Sequence, residues 1–388
     1  MKKRLLSFLP NPPSGKTGWP WTEETDPGVY EGIKYLPKIS IITPSFNQGE
    51  FIEQTIRSVL LQNYPDLEYI IVDGGSTDET NCIIEKYGSW IKYRVSEKDK
   101  GQSHAINKGL LKCDGEIFNW INSDDYYYKH CFKILAENYS KDDTYILAGS
   151  YRFFYDKAEK SKEKIIEFKL RETLEETIAS VLINQPSTFF RLDILRSLGK
   201  LDESLHFVMD QDIWKKFLFT YGQEKIKILK EELTNFRFHT TSKTYQYKFN
   251  TEYINIFYSI AAKAGMKKHA EFFKKVYGDE VGKGYDFGFK ISDQKIKLAK
   301  KVINNFIFFM SRNAFTAKDI KLLNLSLSLL ELKWLNENQK KYVFKLKLKS
   351  KLIKFRLDPV LKLFGGRNRA VLKKAKLNST SVIKLIRD

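Results

Sequence analysis

The chain has 388 residues, 42% apolar and 14% aromatic, which suits one large or two ordinary packed domains and excludes a disordered polymer. Its formal charge is +19, and two thirds of that excess lies in residues 341–388, where fifteen Lys or Arg face two acids, Asp358 and Asp388. Such a segment seeks an anionic partner. The three cysteines, Cys82, Cys113 and Cys131, are odd in number and lack C-x-x-C spacing, which argues against a disulfide framework or thiolate zinc site and for a reducing compartment.

Leu5 to Leu9, cut off by Pro10, is too short for a secretory apolar region, and no run of eighteen apolar residues occurs. The expected location is the cytoplasm. Residues 1–36 are rich in Pro, Gly and Trp without periodicity and read as an irregular arm, pinned to the body by Trp19, Trp21 and Tyr30. From Lys38 the pattern changes. Ile39–Ile42 reads as a buried strand, and Phe51, Ile52, Thr55, Ile56, Val59 and Leu60 form one face of an amphipathic helix. A strand over Leu67–Val72 completes a strand–helix–strand unit, whose crossover should be right-handed.

The unit then repeats. Ser76-Thr77-Asp78-Glu79 fits a capping box opening a helix to about Tyr87. Ile91–Val95, Ser103–Cys113 and Glu116–Ile121 follow as strand, helix and strand, and a helix is expected near 171–182. Ile213, Trp214, Phe217 and Leu218 mark another. This alternation predicts an α/β fold with a mainly parallel sheet covered on both faces. Beyond about 250 the texture is helical and Lys-rich. The expected organisation is an arm (1–36), an α/β domain (37–250) and a helical appendage ending in a basic tail (251–388). Within that tail the apolar–basic alternation of Phe344–Lys349 suits a strand, and 360–364 and 371–377 suit short basic helices.

Chemistry-bearing residues gather where strands end, the place where open α/β sheets bind ligands. Thr43-Pro44-Ser45-Phe46-Asn47 follows the first strand; its plain reading is a Pro turn and helix cap. Val72-Asp73-Gly74-Gly75-Ser76 follows the second, with glycines that let backbone approach a ligand closely. Asp99 to Gly109 joins a charged turn to a helix start. Asn122-Ser123-Asp124-Asp125 follows the fourth strand, and carboxylates there suit a hard cation carrying substrate phosphates.

These four motifs in this order, with Met209-Asp210-Gln211-Asp212-Ile213-Trp214 behind them, resemble the family 2 glycosyltransferases of GT-A fold over residues 38–240. The resemblance implies a Rossmann-like sheet and a nucleotide-sugar donor, with Thr43, Pro44, Ser45 and Asn47 in the first nucleotide-binding segment. It implies Asp73 at the donor's base, and Lys100, Gly101, Gln102 and Asn107 lining the donor pocket. Asn122 and Ser123 then stand in the Asp-x-Asp metal motif, with Asn122 replacing its first acid and Asp124 left as principal ligand to a divalent cation, Mn²⁺ or Mg²⁺. By the same resemblance His239 is expected as a second ligand to that cation or to the diphosphate. Asp210 matches the catalytic base, whereas Asp212 is expected to cap or orient the helix. Asn184-Gln185-Pro186-Ser187 is expected on the acceptor side.

The resulting expectation is an inverting, metal-dependent transferase acting on a lipid-linked saccharide. Without a Gln-x-x-Arg-Trp motif it should add single sugars. Residues 341–388 should dock it peripherally on an anionic membrane surface, and nucleic acid is not an expected partner. The alternatives are a sugar-phosphate nucleotidyltransferase, for which 43–47 lacks a Gly-rich basic triphosphate loop, and a basic nucleic-acid-binding protein, for which the tail lacks interleaved aromatic residues.

Overall fold

The computed structural model describes residues 4–155, 163–180, 184–239, 242, 249–288 and 292–354. The chain divides into two compact units, 1–169 with 183–246, and 170–182 with 247–388. The segment 170–182 therefore groups with the C-terminal residues, across the expected boundary at 250.

In the first unit the elements run β1 (Ile39–Ser45), α1 (Ile52–Leu60), β2 (Leu67–Asp73), α2 (Thr80–Lys86), β3 (Tyr93–Ser96), α3 (Gln102–Leu110), β4 (Ile117–Trp120), β5 (Tyr126–Tyr127), α4 (Cys131–Asn138), β6 (Ile146–Tyr155) and β7 (Lys164–Ile166). After α5 (Leu174–Ala179), which belongs to the second unit, come β8 (Thr188–Arg191), α6 (Leu192–Ser197), α7 (Met209–Tyr221) and β9 (Ile226–Phe238). The sheet order is β3-β2-β1-β4-β8-β6-β9-β5, with β7 beside β6. β1, β2, β3 and β4 pair in parallel, whereas β8 enters antiparallel to both β4 and β6.

The first strand is buried along its whole length, as its apolar run requires. Ile39 and Ile41 join one core with Ile52, Ile56, Val59, Tyr69, Ile71, Ile117 and Phe132, while the alternate residue Ile42 meets α3 on the opposite face. There Gly109 is a packing requirement: a Cβ would stand 2.6 Å from Ile42 Cδ1.

The expected capping box at Ser76–Glu79 does not form. Ser76 Oγ turns to Asp73, and the amide of Thr80 instead donates to Asp78 Oδ1 at 3.0 Å. The helix near 171–182 is shorter than expected, with Thr173 accepting from the Glu176 amide at its N-cap.

Arg57 on α1 binds the N-terminal arm. Its side chain is fully buried; Nε donates to the Pro20 carbonyl (3.0 Å), Nη1 to the Pro10 carbonyl (2.9 Å) and to Tyr87 Oη (3.0 Å), and Nη2 to the Trp21 carbonyl (2.6 Å). Trp19 Nε1 donates to the Tyr127 carbonyl and Tyr30 Oη to that of Gln62, so the arm's aromatic residues pin it as expected.

The second unit, beyond 247, is helical: α8 (Phe249–Lys263), α9 (Lys267–Tyr277), α10 (Asp293–Thr316), α11 (Ile320–Leu329) and α12 (Glu337–Lys354). Phe257 stacks on Phe306, with ring centroids 3.7 Å apart. The strand expected at Phe344–Lys349 is part of α12 instead. Lys and Leu are strong helix formers, and a helix gathers Gln339, Val343, Leu346 and Ser350 into one buried stripe. The two short helices expected at 360–364 and 371–377 lie outside the described residues. Among the described residues no helix is long and apolar enough to cross a membrane.

Replacing Arg57 with Met would leave three arm carbonyls without their buried donor, each omission costing about 1–3 kcal/mol. Arg57→Met should therefore lower unfolding stability by about 3 kcal/mol or more in urea titration and speed proteolysis within residues 1–36. An unchanged midpoint and cleavage pattern would refute the anchoring role.

Candidate active site

The loops after β1, β2, β3 and β4 lie at the carboxyl ends of parallel strands and are joined to one another by side-chain bonds. Asp73 closes β2. Its carboxylate accepts from the amides of Gly75 (3.0 Å) and Ser76 (2.8 Å), from Ser76 Oγ (2.5 Å) and from Ser96 Oγ on β3 (2.6 Å). Asp73 is fully buried and held by four donors, so it shapes the glycine loop. Asn47, with a left-handed backbone (φ 52°), likewise turns inward, accepting from the Thr77 amide at 2.9 Å while its own amide donates to Ser76 Oγ.

Thr43 is also turned away from the loop cluster, with Oγ1 3.0 Å from Tyr69 Oη in the interior, and Pro44 is buried within β1. Ser45 differs: its hydroxyl is buried and, among the described residues, has no hydrogen-bond partner. Beside it Phe46 is 59% exposed, an unusual setting for a phenylalanine. Its ring borders Gly74, and so does the carboxylate of Asp99; a Cβ on Gly74 would stand 2.8 Å from Asp99 Oδ2 and 3.3 Å from Phe46 Cδ2. Neither residue is singled out by motif spacing; an exposed aromatic residue directly behind a buried strand is the signal that could have marked Phe46.

Asp99 Oδ1 accepts from the Gly101 amide at 2.7 Å, and His206 stands over Gly101, whose backbone (φ 114°) suits glycine. Gln102 Nε2 donates to Asn122 Oδ1 at 2.6 Å, joining two motif residues. Asn107 corrects the sequence reading: its amide nitrogen donates to the Leu201 carbonyl (2.9 Å) and Glu203 Oε1 (3.0 Å), and its oxygen accepts from the Leu201 amide. Ser103 Oγ donates to the Leu205 carbonyl. Thus α3 holds the loop that leads into α7 instead of lining a pocket through Asn107.

The turn after β4 carries two carboxylates with different surroundings. Asp125 is buried, with Oδ1 accepting from the Arg237 amide on β9 at 2.9 Å. Burial and the neighbouring Asp124 charge push its carboxyl well above the usual carboxylate range. Asp124 retains some exposure, and its Oδ2 stands 2.9 Å from His239 Nε2. Arg237 Nε donates to the Asp124 carbonyl at 3.0 Å and Nη2 to Gln54 Oε1 at 2.7 Å. The buried Ser123 contributes its carbonyl, which lies with that of Asp125 within reach of Thr55 Oγ1. Among the described residues no cluster of three or more His, Cys, Asp or Glu gathers to hold a metal ion. The available protein set is Asp124 with His239, which fits a hard cation that takes its remaining ligands from phosphate oxygens and water.

Asp210 occupies the first turn of α7, where its carboxylate accepts from the Gln211 amide at 2.8 Å. Part of it remains exposed, yet burial pushes its pKa up to about 6, partly offset by that bond and by Lys215. Lys215 is itself buried, donating to Gln211 Oε1 at 3.1 Å, and burial lowers its pKa to about 7. Asp212 is enclosed and paired with Lys216 at 2.7 Å, orienting the helix from within. Asn184, Gln185 and Ser187 are buried ties to Gly149, Ile166, Trp120 and Ser150, which corrects their expected place on an acceptor surface.

Comparison with known proteins matches this region. The family model described as glycosyl transferase family 2 covers residues 40–199. An uncharacterised glycosyltransferase of Rickettsia typhi is 34% identical over 197 residues, 47% of this chain and 59% of that protein. One from Rickettsia prowazekii is 32% identical over 224 residues, 54% of this chain and 67% of that protein. The crystal structure of S. aureus TarS 1–349 in complex with UDP-GlcNAc matches 76% of this chain and 91% of that one at 18% identity, with a TM-score of 0.51, a likeness of fold. On these matches, and on an ordered set of strand-end loops in a Rossmann-like sheet, the chain belongs to glycosyl transferase family 2 and has the GT-A fold.

Proposed function

We propose that the protein is an inverting glycosyltransferase that moves a sugar from a nucleotide-sugar, with a UDP-sugar favoured, to a hydroxyl of a lipid-linked saccharide at the cytoplasmic face of a membrane. The observation that carries this reading is the division of labour among carboxylates. Asp73, Asp125 and Asp212 are buried and committed to protein partners, whereas Asp99, Asp124 and Asp210 stand at the loops and the helix start with exposed surface.

In this reading the nucleotide base lies against the ring of Phe46, with Asp99 accepting from a base N–H and Ser45 from a donor hydroxyl. Gly74, Gly75 and Gly101 keep that wall low. Gln102 and Asn122 form a neutral pair beside the diphosphate. Asp124 and His239 would hold a divalent cation, which, when bound, supplies positive charge to the leaving diphosphate.

Asp210 takes the proton of the acceptor hydroxyl as that oxygen bonds to the anomeric carbon and the bond to the diphosphate breaks. A base with pKa near the working pH suits this transfer. A single displacement inverts the anomeric centre, and Asp212, committed to Lys216, is not placed to act as a second nucleophile. Basic residues 341–388 support an acceptor presented at an anionic surface.

Calorimetric titration with UDP should give binding strengthened by Mn²⁺ in the wild type, and Asp124→Asn should lose the metal-dependent part. A folded wild type that binds none of UDP, GDP or dTDP would overturn the proposal. Asp210→Asn should retain UDP affinity while losing about 10²–10⁴-fold in kcat. Because the carboxylate form is the active one and its pKa is raised to about 6, kcat/KM should climb as pH rises through about 6 and level off above it. A rate flat from pH 5 to 8 would exclude Asp210 as the titrating base.

A further inference from the structure

Helix α12 carries two separate stripes. One is buried: Gln339, Val343, Leu346 and Ser350 recur at helical spacing, with Gln339 Nε2 donating to Asn305 Oδ1 at 2.7 Å and Ser350 Oγ donating to Asn324 Oδ1. Tyr342 packs on Phe308 and lies beneath the Arg312 guanidinium, and Lys349 covers the ring of Phe315. These contacts fix which side of α12 faces its own unit.

On the opposite side lie Phe344, 71% exposed, and Leu348, 45% exposed, one turn apart. Lys341 and Lys345 flank this pair on one side of the helix, and Lys347 and Lys351 on the other. Over Glu337–Lys354 there are seven lysines and a single acid, Glu337. A solvated helix face does not need a phenylalanine and a leucine at its centre. A nucleic-acid face would use its aromatic residues as stacking platforms among basic residues, whereas here an aliphatic–aromatic ridge runs between two lysine rows. That is the arrangement of a helix lying in the headgroup region of a bilayer, apolar ridge down and lysines at the phosphates.

We infer that the Phe344/Leu348 face of α12 is an interfacial docking surface for membranes rich in anionic lipid, with the two side chains entering the acyl boundary and Lys341, Lys345, Lys347 and Lys351 meeting the headgroups. This deepens the reading of a lipid-linked acceptor, and its purpose rests on that reading. Its physical content is separate, since vesicle binding needs neither donor nor acceptor.

The test uses the full chain and sedimentation with phosphatidylcholine vesicles containing or lacking phosphatidylglycerol, with UDP titration of each variant as the control for folding and for the donor site. The wild type should sediment with the anionic vesicles alone, and salt should weaken this. Phe344→Ser/Leu348→Ser should lower partitioning by about tenfold while keeping the salt dependence. Lys341→Glu/Lys345→Glu should lower it by about twenty-five-fold or more, each lysine near an anionic surface being worth about fivefold. Both variants should bind UDP as the wild type does.

Three results would overturn the proposal: a UDP-binding wild type that ignores anionic vesicles, a Phe344/Leu348 variant that partitions like the wild type, or tighter retention on duplex DNA than on vesicles at the same salt. Loss of UDP binding by the wild type with vesicle binding intact would instead strike the transferase reading and leave the docking surface standing.

Discussion

The candidate site hangs on one buried carboxylate. Asp125 accepts from the Arg237 amide, so the turn after β4 is tied to the end of β9, although the two are 112 residues apart in the chain. Arg237 returns the connection through the Asp124 carbonyl and reaches Gln54 on α1, while Thr55 on the same helix lies beneath the carbonyls of Ser123 and Asp125. A buried carboxylate is costly unless its lone pairs are used, so this network favours one arrangement of three distant segments. Asp124 and His239 meet because Asp125, next to the first, and Arg237, two residues before the second, are bound to each other.

A second constraint runs through α3. Gly109 lets the helix approach Ile42 of β1, and from that seat Ser103 and Asn107 hold residues 201–205. The loop continues into α7, so the placement of Asp210 is set in part from α3. Positioning of a reacting group matters steeply, with misplacement by about 1 Å able to cost about 10²-fold in rate. The residues that position Asp210, the proposed base, are therefore spread over α3 and its strand contact, well away from it in sequence.

Much of this was legible in the sequence. β1, β2 and β4 are apolar runs closed by turn residues, α1 shows a clear apolar face, and the motifs fall at strand ends, so the α/β architecture and the neighbourhood of the site could be read directly. Side-chain direction could not. Thr43, Asn47, Asp73 and Asn107 have the right polarity and position for ligand contacts, but polarity records only that a partner is needed, and in the structure they bond to neighbouring strands and loops of the protein. Phe46 and Asp99 illustrate the converse, since no motif marks them and both border the space that Gly74 leaves open by lacking a Cβ. The alternation at Phe344–Lys349 was misleading because a period of two is compatible with a helix whose lysines occupy several faces, and helix propensity together with a partner for Val343 and Leu346 decided the outcome.

The hydroxyl of Ser45 is enclosed at the end of β1, and among the described residues nothing satisfies it. An unsatisfied buried hydroxyl carries a penalty of about 1–3 kcal/mol. A ligand group that bonds to Ser45 Oγ there makes its hydrogen bond away from bulk water, where such a bond is electrostatically stronger. Such a ligand, binding the folded state and not the unfolded one, would stabilise the fold through linkage as its concentration rises. Resistance to heat and occupancy of the cleft would then be two readings of the same free energy.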